Sequence, residues 1–273
     1  MQKLLKNINN MVSSIYNYPE QYAQDIVSSF ELTPPIDVIK ICEKLAINVN
    51  YEPLGNTEAL LIVSQGKRNI VVNTNKVQYS SRVRFTIAHE IGHYIIPWHE
   101  NSQQCDKTID FNSTDKFECE ANDFASELLV PKSILLEDIK GKRITLSLIK
   151  ELADKYMVSL VVMARRILEF TESSAVVLIY YKDGTKFVQM KSKTFNEQIK
   201  AGRVTKSSAH KLLTSYNTSA EIKDILDSSI WFNTIDNNYS IVEESLFQSK
   251  LGRVFTLLRT VADEDISDLL WDF

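Results

Sequence analysis

His89-Glu90-Ile91-Gly92-His93 is the stretch of this chain whose residue types and spacing could do chemistry. Residues four apart on a helix share one face, with Cβ atoms about 5–6 Å apart. His89 and His93 could therefore hold one metal ion between their imidazoles. A zinc ion takes imidazole nitrogen at about 2.0–2.1 Å and, in catalytic sites, keeps one position open for water. Glu90 is turned about 100° from His89, too far round a helix to join the histidines as a ligand. It can instead reach a water at the metal, which is the place of a general base in metal-assisted hydrolysis.

The element that must carry this pattern is predicted as a helix from Ser81 to Ile96. On a helical wheel Val83, Phe85, Ile87, Ala88, Ile91, Tyr94, Ile95 and Ile96 cover most of the circumference, and the remaining wedge holds Arg82, Thr86, His89, Glu90 and His93. A helix apolar nearly all round is a buried one. Buried imidazole and carboxylate then need partners, because unpaired polar burial is costly. A metal and its water would supply them.

Two residues compete as third ligand. His99 follows His93 by six positions, the metzincin spacing, but the glycine that turns the chain in that pattern is replaced by Ile96, followed by Pro97. A β-branched residue resists the positive φ such a turn needs, so His99 reads as a loop histidine. The second candidate lies on a helix predicted from about Thr114 to Val130 and closed by Pro131. Its core stripe is Phe117, Ala121, Phe124, Ala125 and Leu128; Lys116, Glu120, Asp123 and Glu127 form the face expected to meet solvent. Glu118 and Asn122, four apart, flank the core stripe. Glu118 is therefore the expected third ligand, Glu120 is expected to point away, and Asn122 suits a supporting bond to a ligand.

Further elements frame these helices. Pro34-Pro35 opens a helix through Val38, Ile39 and Leu45, after a helical lead-in over residues 1–30. Short strands are expected at Ala46 to Glu52, Leu60 to Ser64 and Asn69 to Asn73, the last after Gln65-Gly66-Lys67, so a small sheet precedes the metal helix. Glu100 to Ser113 reads as a polar loop and residues 133–170 as short helices. After Ser173-Ser174 the pattern turns to strands: Ala175 to Tyr181, a turn at Lys182-Asp183-Gly184-Thr185, then Lys186 to Met190. A polar, helical middle follows, then a hairpin of Tyr239 to Phe247 and Arg253 to Val261 turning near Lys250-Leu251-Gly252. The expected class is α+β: a domain over 1–172 that carries the metal helices, and a smaller α+β domain over 173–273 as a sensor or substrate-recruiting unit. That second part shows no catalytic constellation; His210 reads as a surface or capping residue, and Trp231-Phe232 and Trp271-Asp272-Phe273 as core or docking aromatics.

Composition narrows the setting. A formal net charge of -4 argues against general nucleic-acid affinity. No apolar run approaches the roughly 18 residues of a membrane span, and the lysines near Met1 precede no continuous apolar stretch. Cys42, Cys105 and Cys119, few and odd in number, suggest a reducing compartment. A cytoplasmic protein without membrane contact is the expectation.

Arg84-Phe85-Thr86-Ile87-Ala88-His89-Glu90-Ile91-Gly92-His93, followed by Glu118-Cys119-Glu120-Ala121-Asn122-Asp123-Phe124-Ala125-Ser126-Glu127-Leu128-Leu129-Val130-Pro131, resembles the ImmA/IrrE family of metallopeptidases. The resemblance implies a zincin-like fold for the domain over 1–172 and a thermolysin-like, gluzincin arrangement, with one Zn2+ per chain on His89, His93 and Glu118 and with Glu90 activating water. It also implies a protein substrate, typically a helix-turn-helix transcriptional repressor whose cleavage relieves repression of mobile-element, prophage or damage-response genes. Tyr79, Tyr94 and His99 are near enough in sequence to stabilise an oxyanion, and the sequence does not choose among them. The alternative function is a zinc-binding regulator without turnover that binds DNA or a repressor.

A helix-turn-helix-like segment spans about 144–170, with Ser159 placed to cap its second helix. Base reading wants polar side chains early on the recognition helix. Those positions hold Leu160, Val161, Val162 and Met163, while Arg165 and Arg166 come late. Packing is the expected role, and direct DNA binding is not expected.

Overall fold

The structure, a computed structural model, describes residues 16–76, 80–99, 115–181, 186–200, 204–215, 217–233 and 239–260. The lead-in before Tyr16, Tyr79, the 100–113 loop, Cys105, the turn 182–185 and Trp271-Asp272-Phe273 lie outside the described residues. The chain divides into two compact units, Met1–Asp138 with Glu151–Met163 and Ile139–Lys150 with Ala164–Phe273. The fold is zincin-like α+β.

In the first unit, α1 (Pro19–Ser29) and α2 (Val38–Lys44) precede β1 (Ile47–Glu52), β2 (Ala59–Ser64) and β3 (Lys67–Asn73). The Asp37 carboxylate accepts the backbone N–H groups of Ile39 and Lys40 and so starts α2. The sheet order is β1-β3-β2, with β1 parallel and β2 antiparallel to β3. Gln65 and Gly66 both have positive φ, 49° and 74°, which makes a tight two-residue hairpin. Lys67 is therefore the first residue of β3, and that strand starts earlier than Asn69. Asn73 is fully buried; its side-chain amide donates to the carbonyls of Leu54 and Thr57 and accepts from the Leu54 and Asn75 N–H groups, knitting the β1–β2 loop to the sheet.

The two long helices are α3 (Ser80–Ile95) and α4 (Lys116–Leu129). Asp115 caps α4 by accepting the Phe117 N–H. They pack face to face, with β2 and β3 against α3 and α1 against α4. Gly92 permits that approach: a Cβ there would sit 3.0 Å from Phe124 Cδ1. Arg82 grips Glu58 through two bonds of 2.7 and 2.8 Å, tying the start of α3 to the loop before β2.

The helical segment that follows consists of α5 (Lys132–Ile139), α6 (Leu146–Tyr156) and α7 (Leu160–Phe170). Met157 turns the chain between α6 and α7 with φ 52°, and the Ser159 hydroxyl accepts the Val162 N–H. Val162 and Met163 are buried, and Arg166, also buried, bonds Glu169 and lies 4.7 Å from the Phe170 ring.

The second unit holds β4 (Ala175–Tyr181), β5 (Lys186–Lys191), α8 (Ser208–Ser215), β6 (Ala220–Asp227), β7 (Ser240–Gln248) and β8 (Arg253–Thr260). They form an antiparallel sheet in the order β5-β4-β8-β7-β6. Val176, Leu178, Phe195, Leu212, Trp231 and Leu258 are among the residues of its main core cluster. Gly252, at φ 59°, closes the β7–β8 hairpin where one was expected. The expected helical middle is corrected: α8 is followed by an edge strand, β6. Its Ala220, Ile222 and Leu226 pack on the core at the period of a strand, but Asp224 interrupts that face, and with Glu221 and Lys223 on the other the run reads as polar. Charge on an edge strand is a common guard against unwanted pairing.

Candidate metal centre

One helical turn of α3 and the first turn of α4 bring His89, His93 and Glu118 together as a buried group whose donor atoms all lie within 4.8 Å of one another. His89 Nε2 is 3.1 Å from His93 Nε2 and 3.2 Å from Glu118 Oε2; His93 Nε2 is 3.6 Å from Glu118 Oε1.

The partners on the far side of each ring fix the protons. His89 Nδ1 lies 3.0 Å from Asn122 Oδ1, an acceptor, so Nδ1 carries the hydrogen. His99 Nε2 lies 2.9 Å from Glu120 Oε2, and a carboxylate only accepts, so His99 donates there. Burial lowers the His99 pKa although Glu120 opposes the shift, which keeps the ring neutral. Its Nδ1 then accepts from His93 Nδ1 at 3.0 Å. Both ligand histidines thus turn Nε2, the nitrogen not engaged by these bonds, toward the centre of the group. Burial, helped by the neighbouring His89, holds His93 neutral by pushing its pKa down to about 3, against the pull of Glu118.

Two imidazole nitrogens and a carboxylate therefore converge on one point, a donor set that suits a cation at the centre. Tetrahedral coordination with bonds of about 2.0–2.1 Å separates donors by about 3.3–3.4 Å. The separations observed, with the two histidines meeting different oxygens of Glu118, lie close to that spacing, so the residues fit a metal ion.

Glu90 sits beside them, 2% exposed. Its carboxyl accepts a hydrogen bond from the Leu61 backbone of β2. Its Oε2 is buried and has no hydrogen-bond partner among the described residues. Burial pushes its pKa up to about 7, Glu118 adding to the rise and His89 opposing it. Such a group can take up and release a proton near neutrality.

Several expectations need correction. Glu120 does not point away: its Oε2 accepts from Trp98 Nε1 at 2.6 Å as well as from His99. Burial raises its pKa, but the bonds from His99 and Trp98 outweigh that and the net shift is downward. Glu127 is buried, not solvated, because α1 covers that side of α4: it accepts from Gln24 Nε2 and from the Lys132 N–H. Phe117, placed in the core stripe, is 38% exposed and lies against the His99 ring. His99 is no loop histidine: it is buried at the end of a 3₁₀ turn, Pro97–His99, behind His93. Tyr94 lies under the Arg68 guanidinium, 5.0 Å from ring centroid to carbon.

The sequence profile of the IrrE N-terminal-like domain matches residues 42–168. No curated protein matches the chain. Among solved structures, a Mycobacterium tuberculosis transcriptional regulator superposes over 94% of this chain and 81% of that one, with a TM-score of 0.58 at 11% identity. That likeness is one of fold. Residues 42–168, which carry both helices of the metal centre, belong to the ImmA/IrrE family and form a metallopeptidase-like domain.

Proposed function

We propose that this chain is a peptide-bond hydrolase that holds one zinc ion on His89, His93 and Glu118 and uses Glu90 as general base. The observation that carries this reading is the convergence of two imidazoles and a carboxylate beside the buried Glu90, whose Oε2 has no hydrogen-bond partner among the described residues. Two imidazoles and one carboxylate are a donor set of hydrolytic zinc sites. Zinc bound there would supply Lewis acidity toward a scissile carbonyl and make water easier to deprotonate. Glu90 takes the proton from the attacking water and returns it to the leaving amine as the C–N bond breaks. The Leu61 N–H orients the Glu90 carboxyl and ties it to β2.

The substrate class we assign is a helix-turn-helix repressor protein in the cytoplasm, in keeping with the family and with the solved relative named a transcriptional regulator. None of the described helices is long and apolar enough to cross a membrane. The buried Val162, Met163 and Arg166 support a packing role for α7 and no direct DNA contact. The likeness in fold to a transcriptional regulator also favours a second reading, a zinc-holding regulator without turnover. Metal analysis and a cleavage assay on a candidate repressor separate the two. About one zinc per chain is expected, lost in Glu118→Ala. Glu90→Gln should keep the zinc and lose cleavage by at least about a hundredfold. Equal zinc in the parent and in Glu118→Ala overturns the ligand set, and control of the repressor without any cleavage favours the second reading.

A further inference from the structure

Resting on the metal-site reading, we propose that His99 and Glu120 are positioning residues that set the tautomer and donor strength of His93. They form a chain of two hydrogen bonds, 2.9 Å from Glu120 Oε2 to His99 Nε2 and 3.0 Å from His99 Nδ1 to His93 Nδ1, ending on the ring opposite the metal-facing Nε2. Every part of this chain is held. His99 is 2% exposed and its ring meets Phe117 at 4.9 Å. The Trp98 indole donates to the same Glu120 oxygen at 2.6 Å and stacks edge-on against Tyr22 of α1. Lys116 Nζ lies 3.5 Å from the other oxygen.

A buried histidine bonded through both nitrogens does more than fill space, since an apolar side chain of the same size would pack without burying polar nitrogens. The two ligand histidines are also backed unequally. His89 leans on the neutral amide of Asn122, whereas His93 connects through His99 to a carboxylate. A carboxylate behind a ligand imidazole fixes its orientation and raises its basicity. The Glu120 charge reaches His93 through the intervening ring and strengthens the lone pair at Nε2.

The test is Zn2+ affinity of the full chain, measured by competition with a chelator, together with the visible spectrum of the Co2+-loaded protein. Glu120→Gln should weaken Zn2+ binding about tenfold and His99→Phe about 10–100-fold, and both should shift the cobalt bands. The melting temperature of metal-free Glu120→Gln should match that of the parent, which a merely structural role would lower. His99→Gln, whose amide can accept from His93 and donate to Glu120, should recover part of the loss. The double variant His99→Phe/Glu120→Gln should bind no more weakly than His99→Phe alone. Affinity of Glu120→Gln within twofold of the parent overturns the proposal, as do losses that multiply in the double variant. Should His99→Phe fail to fold, the affinity of Glu120→Gln decides. A parent protein that binds no Zn2+, or a His89→Ala variant that binds it unchanged, sinks the underlying metal-site reading instead.

Discussion

At the scale of single residues, a candidate metal site is defined as much by the groups behind the ligands as by the ligands. Asn122 Oδ1 holds the His89 ring by its Nδ1 hydrogen. Removing the amide leaves that hydrogen buried and unpaired and frees the ring to take the other tautomer, in which Nε2 is blocked. Asn122→Ala is therefore expected to weaken Zn2+ binding about 10–100-fold, whereas Asn122→Asp, which still accepts, should bind within a few-fold of the parent. Equal affinity of all three proteins in a chelator titration would show that the amide does not set the ring. The position of Asn122 was legible in the sequence because it stands one helical turn from Glu118 on the same helix. The His99–Glu120 pair was not. Its members come from a 3₁₀ turn and a separate helix, and no periodicity spans that gap.

At the scale of elements, the decisive quantity is the distance between α3 and α4, because Glu118 reaches the histidines only if the helices touch. Gly92 sets that distance. In Gly92→Ala the new Cβ meets a Phe124 ring that is fully buried and has nowhere to swing. Overpacking of this kind costs about 1–3 kcal/mol, and alanine's better helix propensity returns about 1 kcal/mol. The variant should be less stable by about 1 kcal/mol in urea unfolding and should also bind Zn2+ more weakly. Unchanged values for both would show that the helices have room. In the second unit, adjacent acids of β7 point to opposite faces of the sheet and each caps a helix. Glu243 accepts the Ala209 N–H at 2.6 Å at the start of α8, together with Trp231 Nε1 and the Ser245 hydroxyl. Glu244 accepts the Leu146 N–H at 2.6 Å at the start of α6 and pairs with Arg259 at 2.7 Å. Glu244→Ala leaves the Arg259 guanidinium buried without its carboxylate and is expected to cost about 3–5 kcal/mol of stability in chemical unfolding. Strands β4, β5, β7 and β8 were legible from their apolar runs, whereas β6 was not. These caps were not, since each joins residues dozens of positions apart and an acid inside a strand looks like an error of pattern. The misread face of Glu127 and the missed strand β6 share that cause: what covers a helix side or borders a sheet edge is a tertiary fact.

At the scale of the whole chain, the two units give separate handles on stability. The metal donors lie in the unit of Met1–Asp138 with Glu151–Met163. Zinc at a thousand times its dissociation constant should stabilise that unit by about 4 kcal/mol, and chelation should raise hydrogen exchange there while leaving β4 to β8 unchanged. Composition shifts at Ser173-Ser174, but the division between the units runs through α6 and α7, where helix periodicity continues without a break and leaves nothing to read in the sequence. This has a consequence for fragments. A fragment of residues 173–273 lacks Ile139–Lys150 and Ala164 onward to the first strand, which belong to the same compact unit. It loses the Leu146 N–H from Glu244 and the Lys150 partner of Glu221. Val177, Ile179, Val242, Phe255 and Leu257, all fully buried, lie on the Glu244 face of the sheet by strand alternation and pairing. Exposing large aliphatic or aromatic side chains costs about 1.5–3 kcal/mol each, and the five together come to about 7.5–15 kcal/mol, as much as the 5–15 kcal/mol by which a domain is ordinarily stable. The fragment 173–273 should therefore fail to fold, whereas 139–273, which restores Leu146 and Lys150, should give a dispersed amide spectrum and a cooperative thermal transition. A well-dispersed spectrum from 173–273 alone would show that the sheet needs no helix on its Glu244 face.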